Sequence, residues 1–354
     1  MNLQLFSDHP PVAPLAYRDA DAATIANPAA PPAPTRERAG AVSISCVVPC
    51  WNEARSLRLL LPELSRVLSQ LAEHWEIVLV DDGSTDDTAL QAAPWLARGN
   101  VRLLQLSRNF GKEAALTAGL DAARGEVVAM LDADMQHPPA LLADMLAHWR
   151  AGADVVYAVR RSREDEGAFK RWGSRVFYAL LNSSPKVQVP PGAGDFRLLD
   201  RRVVEALRAL PERTRFMKGL YAWVGFDSVA LPYMPTERQE GKSRFTPLRL
   251  LGLSIDGLTA FTTWPLRAVS IAGALMALPA LLYGAYLTLQ YLLYGHPVSG
   301  WTTIVVTLMF FFGVQMVSLG IVGEYIAHVF DEVKGRPLYL LKREQGRGLT
   351  PDAR

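Results

Sequence analysis

At 354 residues the chain has room for a domain of about 200 residues and a second unit beside it. Half of the residues are hydrophobic and 20% are charged, the balance of a globular domain joined to membrane segments. A formal charge of +2 is too small to argue for a nucleic-acid partner. Cys46 and Cys50 lie in an apolar run with no His or Cys cluster around them, which argues against zinc and for reduced core thiols.

Residues 1–40 are rich in Ala and Pro and show no hydrophobic period, so they read as a disordered arm. They also lack the basic start and apolar core of a signal peptide. Order is expected from the β-rich run Ser43 to Pro49, followed by Cys50, Trp51, Asn52 and Glu53. Leu57, Leu60, Leu61, Leu64, Val67, Leu68 and Leu71 then recur at helical spacing. A second buried strand, Glu76 to Val80, runs into Asp81, Asp82 and Gly83, with Ser84 or Thr85 expected to cap the next helix. A third strand, Val101 to Leu106, leads through Ser107, Arg108, Asn109, Phe110, Gly111 and Lys112 into an Ala/Leu-rich helix ending near Ala123.

The next run, Val127 to Leu131, ends in Asp132, Ala133, Asp134, Met135, Gln136, His137 and a Pro-Pro break. Side chains alternate along an extended chain, so Asp132 and Asp134 are expected to point the same way at the strand's end. Two such carboxylates repel unless a cation lies between them. A hard divalent ion, Mg²⁺ or Mn²⁺, held by one or two carboxylates and substrate phosphates suits the pair. Alone, Asp-x-Asp is weak evidence and more often marks an ordinary exposed strand-end turn. Four polar strand ends in one alternating β/α series are harder to attribute to chance. The alternation means parallel strands with helices on both faces, and such sheets bind ligands at the strands' C-terminal ends.

A further strand, Asp154 to Val159, precedes a basic segment from Arg160 to Arg175. There Phe169, Trp172, Val176 and Leu180 share one helical face, the pattern of a helix lying on a membrane surface. Gly192 to Arg197 reads as a glycine-rich loop near a ligand, carrying Asp195. The segment Arg215 to Phe226 contains Lys218, Tyr221 and Trp223. Thr236 to Phe245 has the residue types of a mobile loop that closes on phosphate.

From Pro247 the composition changes. Leu248, Leu251, Ile255, Leu258 and Phe261 form the stripe of a bilayer-surface helix, placed at 246–264. Two charge-free stretches, about 268–293 and 301–323, are each long enough to span some 30 Å of hydrocarbon and form a hairpin over 265–329. Arg249 and Arg267 precede the hairpin, while Lys334, Arg336, Lys342 and Arg343 lie in the tail at 330–354. By the positive-inside rule both termini are cytoplasmic. The fold expected is therefore α/β, mainly parallel, over 41–245, with interface helices and a C-terminal two-helix transmembrane hairpin.

The motif series Val-Pro-Cys-Trp-Asn-Glu, Val-Asp-Asp-Gly-Ser, Ser-Arg-Asn-Phe-Gly-Lys-Glu, Asp-Ala-Asp-Met-Gln-His-Pro-Pro and Gly-Asp-Phe-Arg resembles the inverting GT-A glycosyltransferases. More narrowly it is similar to bacterial polyisoprenyl-phosphate glycosyltransferases with two C-terminal membrane helices, relatives of dolichol-phosphate mannose synthase. The resemblance covers about Ser43 to Leu340. It implies a Rossmann-like GT-A domain in which Pro49, Trp51, Asn52, Glu53, Asp81, Asp82, Lys112, Asp132 and Ala133 meet the nucleotide sugar. It further implies that Asp134 and Gln136 ligate the metal and that Asp195 is the acceptor-side acid. Arg160, Lys170 and Ser174 would meet the lipid phosphate, and Arg238, Ser243 and Arg244 would close on the donor phosphates.

The implied reaction transfers a sugar, with inversion, to a membrane polyprenyl phosphate such as undecaprenyl phosphate. Glucose from UDP-glucose is the first choice, with UDP-GlcNAc and GDP-mannose open. The implied setting is the bacterial inner membrane, and relatives suggest a homotetramer. Two rivals remain. A processive polysaccharide synthase would resemble the chain at Arg171-Trp172, but Ala168 stands at the Gln position of that motif. A non-catalytic nucleotide-binding scaffold has no need of the intact acidic series.

Overall fold

The computed structural model describes residues 38, 40–160, 189–190, 193–213, 215–234, 264–294 and 300–350. Lys170, Ser174, Arg238, Ser243 and Arg244 lie outside these residues, as do the side chain of Arg160 and the surface helix expected before residue 264.

Eight strands form one sheet: β1 (Ser43–Cys50), β2 (His74–Asp81), β3 (Val101–Leu106), β4 (Val127–Met130), β5 (Val155–Arg160), β6 (Ala193–Asp200), β7 (Ser228–Tyr233) and β8 (Leu341–Gly346). Their order is β7-β5-β6-β4-β1-β2-β3-β8. The β1–β2, β1–β4, β2–β3 and β5–β7 pairs are parallel; β4–β6, β5–β6 and β3–β8 are antiparallel. The mostly parallel α/β expectation is met.

Alternate residues of each strand feed opposite faces, because the side-chain period of a strand is two. Cys46, Val48, Ile77, Leu79 and Ala129 pack with α1 (Ala54–Leu71), α2 (Thr88–Leu96) and α4 (Leu141–Arg150). Val47, Val78, Val80, Val128 and Met130 pack with α3 (Lys112–Ala122), α5 (Arg201–Ala209) and α6 (Met217–Trp223) on the other face. The helical spacing in 57–71 is realised in α1, where Leu57, Leu60, Leu61, Leu64, Val67 and Leu68 are all buried.

Several elements depart from the sequence reading. Ala193 to Arg197 is not a loop: β6 begins at Ala193, so Asp195 is carried on a central strand between β4 and β5. Neither Ser84 nor Thr85 caps α2, which starts after Asp87; both bond to Asn52 instead. The C-terminal tail is not simply a tail, since residues 341–346 pair with β3 as an edge strand. Arg38, which the reading leaves inside the disordered arm, is held by the carbonyls of Trp149 and Ala153 and by Asp154 at 2.7 Å.

The tail closes over a buried polar knot. Glu76 is fully buried and accepts from Ser45 Oγ at 2.6 Å, Arg124 N at 2.9 Å and Leu349 N at 3.1 Å. Arg102 lies between Glu76 and Glu344, at 3.4 and 2.7 Å, and donates to the Ala122 carbonyl. Gly346 ends β8 at φ +85°, and a Cβ there would overlap the Val101 carbonyl oxygen.

Two long helices follow β7 in the chain: α7 (Trp264–Tyr294) and α8 (Trp301–Lys334). Their large apolar side chains face outward; Leu275, Leu282, Leu308 and Phe312 are each exposed. Among the described residues one stretch, Thr307–Lys334, with mean hydropathy 1.5, is long and apolar enough to cross a membrane. Ile271–Leu287 in α7 is apolar but shorter. The end of α8 meets the α/β domain where Glu332 Oε1 accepts the Arg213 N–H at 2.8 Å, and Tyr339 OH donates to Asp121 at 2.9 Å.

Candidate active site

The polar residues that end β1, β2 and β4 meet the turn before α3 and the start of β6. After β1, Trp51 stands 39% exposed, an aromatic face at the lip. Asn52 takes φ +56°, which Asn tolerates better than most residues. Its side-chain oxygen accepts the Thr85 N–H at 2.8 Å, and its own N–H donates to Ser84 Oγ at 2.9 Å. Glu53 N donates to Thr88 Oγ1, and the Glu53 carboxylate accepts from Ser56 Oγ. The loops after β1 and β2 are thus tied to each other.

Asp81 and Asp82, both buried, have structural duties here. Asp81 accepts the Ser84 N–H at 2.9 Å and Gln105 Nε2 at 3.3 Å. Asp82 accepts the N–H groups of Phe110 and Gly111, at 2.7 and 2.9 Å, and so fixes the turn that presents Lys112. Burial pushes the Asp82 carboxyl up, an effect the two amides offset only in part. Between these loops Gly83 sits at φ +66°, where a Cβ would lie 2.5 Å from Arg108 C. Gly83→Ala is expected to cost about 2 kcal/mol or more through strain and overlap together. A thermal midpoint unchanged from wild type would contradict this.

Lys112, the first residue of α3, joins the two acidic segments. Its Nζ lies 2.6 Å from Asp132 Oδ1 and 2.7 Å from Asp195 Oδ2. Burial alone would lower its pKa, but the charges of Asp132 and Asp195 outweigh that and raise it. Burial likewise works to raise Asp195, while Lys112, Lys218 and Arg197 together hold it below the usual carboxylate range. Asp195 is therefore ionised at neutral pH when Lys112 is in place.

The Asp-x-Asp pair does not lie on a strand as expected. β4 stops at Met130, and Asp132 and Asp134 sit in the turn that follows, with Met135 at φ +61°. The local reason is that turn: Asp134 Oδ1 accepts the Gln136 N–H at 3.1 Å, while Asp132 reaches across to Lys112. Ala133 between them is buried.

A divalent ion fits this turn. Among the described residues there is no cluster of three or more His, Cys, Asp or Glu able to cage one. Among the described residues Asp134 Oδ2 carries no hydrogen bond or ion pair, and Gln136, which has a contact of its own, carries a further side-chain oxygen two residues on. Few protein oxygens with the remainder supplied by substrate phosphates is the usual arrangement for Mg²⁺.

Several residues of this neighbourhood carried no sequence signal of their own. His137 is buried between the rings of Phe196 and Tyr233, with centroids at 5.3 and 5.5 Å, and among the described residues its Nδ1 has no hydrogen-bond partner. Burial lowers its pKa, so the ring is neutral. Arg197 lies over the Tyr221 ring at 4.2 Å and donates to the Gly194 carbonyl, bracing the strand beside Asp195. Tyr221 OH in turn donates to Met130 Sδ at 3.2 Å.

Glu113, next to Lys112, accepts the Met217 N–H at 3.3 Å. Burial first, and then the Asp195 charge, push its carboxyl from an ordinary 4.5 up to about 7. An acid raised in the folded state binds its proton there more tightly than in the unfolded chain. Stability is therefore expected to fall as pH rises from about 4.5 to 7 and then to level off, by at most about 3 kcal/mol. Relative to Glu113→Gln, wild type should lose thermal stability between pH 5 and pH 8. Parallel pH profiles for the two proteins would contradict this.

Residues 45–208 match the family model described as Glycosyl transferase family 2. An uncharacterized glycosyltransferase of Synechocystis sp. is 40% identical over 311 residues, covering 88% of this chain and 98% of the relative. The SfII prophage-derived bactoprenol glucosyl transferase of Shigella flexneri is 38% identical, covering 85% and 98%. The prophage bactoprenol glucosyl transferase homolog of Escherichia coli K12 is 37% identical, covering 85% and 99%. Near-complete coverage of these relatives, with Asp132, Asp195 and Lys112 joined at the sheet's C-terminal rim, places the chain among the glycosyltransferases, in glycosyl transferase family 2.

Proposed function

We propose that the protein transfers glucose, with inversion, from UDP-glucose to the phosphate of a membrane polyprenyl phosphate, giving a lipid-linked monosaccharide. The observation that carries this reading is the ion-paired bridge Asp132–Lys112–Asp195, which links the acidic turn after β4 to the start of β6. Its support from relatives is that several of them bear the name bactoprenol glucosyl transferase.

On this reading Trp51 stacks on the base, while Pro49, Asn52, Glu53, Asp81, Asp82 and Ala133 shape the nucleotide pocket. Asp134 and Gln136 would hold Mg²⁺ or Mn²⁺, which would supply positive charge for the departing diphosphate. Asp132 and Lys112 orient the donor, and Asp195 orients the acceptor. A phosphate monoester has its second pKa near 6, so the acceptor is largely a dianion at pH 7 and needs placement more than deprotonation. Arg160, Lys170 and Ser174 are assigned to the lipid phosphate and Arg238, Ser243 and Arg244 to the donor phosphates.

The outward apolar faces of α7 and α8 support membrane association. We assign them to a hairpin in the bacterial inner membrane, with the catalytic domain and both termini cytoplasmic and the protein homotetrameric. A thermal-shift panel of UDP-glucose, UDP-GlcNAc and GDP-mannose with Mn²⁺ tests the donor assignment. UDP-glucose should raise the midpoint most, and EDTA should abolish the rise. A larger shift with either of the other two would overturn the choice of glucose.

A further inference from the structure

The bridge described above leaves an electrostatic gap. Lys112 is shared between Asp132 and Asp195, so its charge is already committed to two acids. A phosphate arriving beside Asp195 meets a carboxylate held in its ionised form, so beyond Arg160 and Lys170, already assigned to it, a further cation on the Asp195 side would offset that repulsion.

Lys218 is placed to be that cation. It is the second residue of α6, half-buried, and among the described residues it makes no hydrogen bond or ion pair. Tyr221, three residues on and so on the same helical face, takes the Arg197 guanidinium on its ring at 4.2 Å. Arg197 in turn holds the Gly194 carbonyl, one residue from Asp195. The face of α6 that carries Lys218 therefore fronts the start of β6.

The start of α6 is fixed from the other side of the site. Glu113 accepts the N–H of Met217, the residue before Lys218, and Glu113 itself directly follows Lys112. One hydrogen bond thus sets the two lysines, one on α3 and one on α6, relative to each other across Asp195. The charge of Lys218 acts on both Asp195 and Glu113.

We infer that Lys218 contacts the phosphate of the acceptor, and that Glu113 is a positioning residue that holds it there through the Met217 N–H. The inference rests on the polyprenyl-phosphate reading above and adds to it a cation drawn from α6. Lys112 then serves the donor-side acid, and Lys218 the incoming nucleophile.

The test uses the full-length protein in detergent with Mn²⁺, UDP-glucose and undecaprenyl phosphate. Lys218→Ala is expected to raise the KM for undecaprenyl phosphate, or lower kcat/KM for it, by about 10- to 100-fold, the range for losing one charged hydrogen bond. Affinity for UDP, measured by calorimetry, should stay within about twofold on the same argument. Lys218→Arg should recover most of the loss. Glu113→Ala should show a smaller loss of the same kind, which Glu113→Gln, keeping a carbonyl oxygen for Met217, should restore.

If Lys218→Ala lost UDP affinity in step with activity, the phosphate in contact would be the donor's and the inference would fail. It would also fail if Lys218→Ala matched wild type in kcat/KM for the lipid. Lipid-linked product from wild type in either case would leave the underlying reading standing. No such product from wild type would overturn both.

Discussion

Replacing Asp134 by Ala is expected to lower kcat by about 10³-fold or more while leaving the fold in place. The size follows from the metal-holding role proposed for the residue. A charge-stabilising group aimed at a developing anion is worth 10² to 10³ in rate when it is a single hydrogen-bond donor, and a divalent cation supplies more. The fold survives because Asp134 is only half-buried and, among the described residues, bonds only the Gln136 N–H of its own turn. That bond is worth about 1 kcal/mol. Circular dichroism and the thermal midpoint should therefore resemble wild type, while sugar transfer, followed as UDP release, should be lost. Near-normal turnover by the folded variant would remove the cation from the account.

The second large effect lies far from the chemistry. Glu76→Ala is expected to destabilise the domain by about 3 to 5 kcal/mol, because it strips a buried charge pair of one partner. Glu76 is fully buried and gathers Ser45 Oγ, the N–H groups of Arg124 and Leu349, and the Arg102 guanidinium. Arg102 keeps Glu344, which sits on β8 and is partly exposed, so part of the cost is recovered. For a domain of about 200 residues this corresponds to a fall of roughly 10 °C in thermal midpoint. A fall of less than 2 °C would mean that the knot contributes little to holding the tail on the sheet.

These two residues differ in how they can be read from sequence. Asp134 announces itself: an apolar run ends in acids just before Pro138-Pro139, and the same pattern of run followed by acid recurs at Asp81-Asp82. The parallel core, β1 to β4, is legible for the same reason, since strands buried on both faces read as continuous apolar runs. Glu76 gives no such sign, because its burial depends on Arg102, Arg124 and Leu349, the last of them 273 positions away.

Three strands, β6, β7 and β8, are not legible in the sequence, and the first and last of them for opposite reasons. β6 carries Gly194, Asp195 and Arg197, which look like loop residues; they are accommodated because Arg197 finds the Tyr157 and Tyr221 rings and Asp195 finds Lys112. β8 reads Leu-Lys-Arg-Glu-Gln-Gly, with no alternation and mostly exposed side chains, as suits an edge strand protected by charge. The direction of the acidic pair is not legible either, because nothing in the apolar run marks where the strand stops. In fact β4 ends at Met130, and the turn sends Asp132 to Lys112 while Asp134 bonds within its own loop.

The most direct test supplies purified full-length protein with radiolabelled UDP-glucose, Mn²⁺ and undecaprenyl phosphate, and asks where the label goes. The account predicts label in the chloroform phase as a single mild-acid-labile lipid-linked hexose of β configuration, abolished in Asp134→Ala. Label retained in a long polar polymer, or no transfer at all by an enzyme that binds UDP, would contradict it.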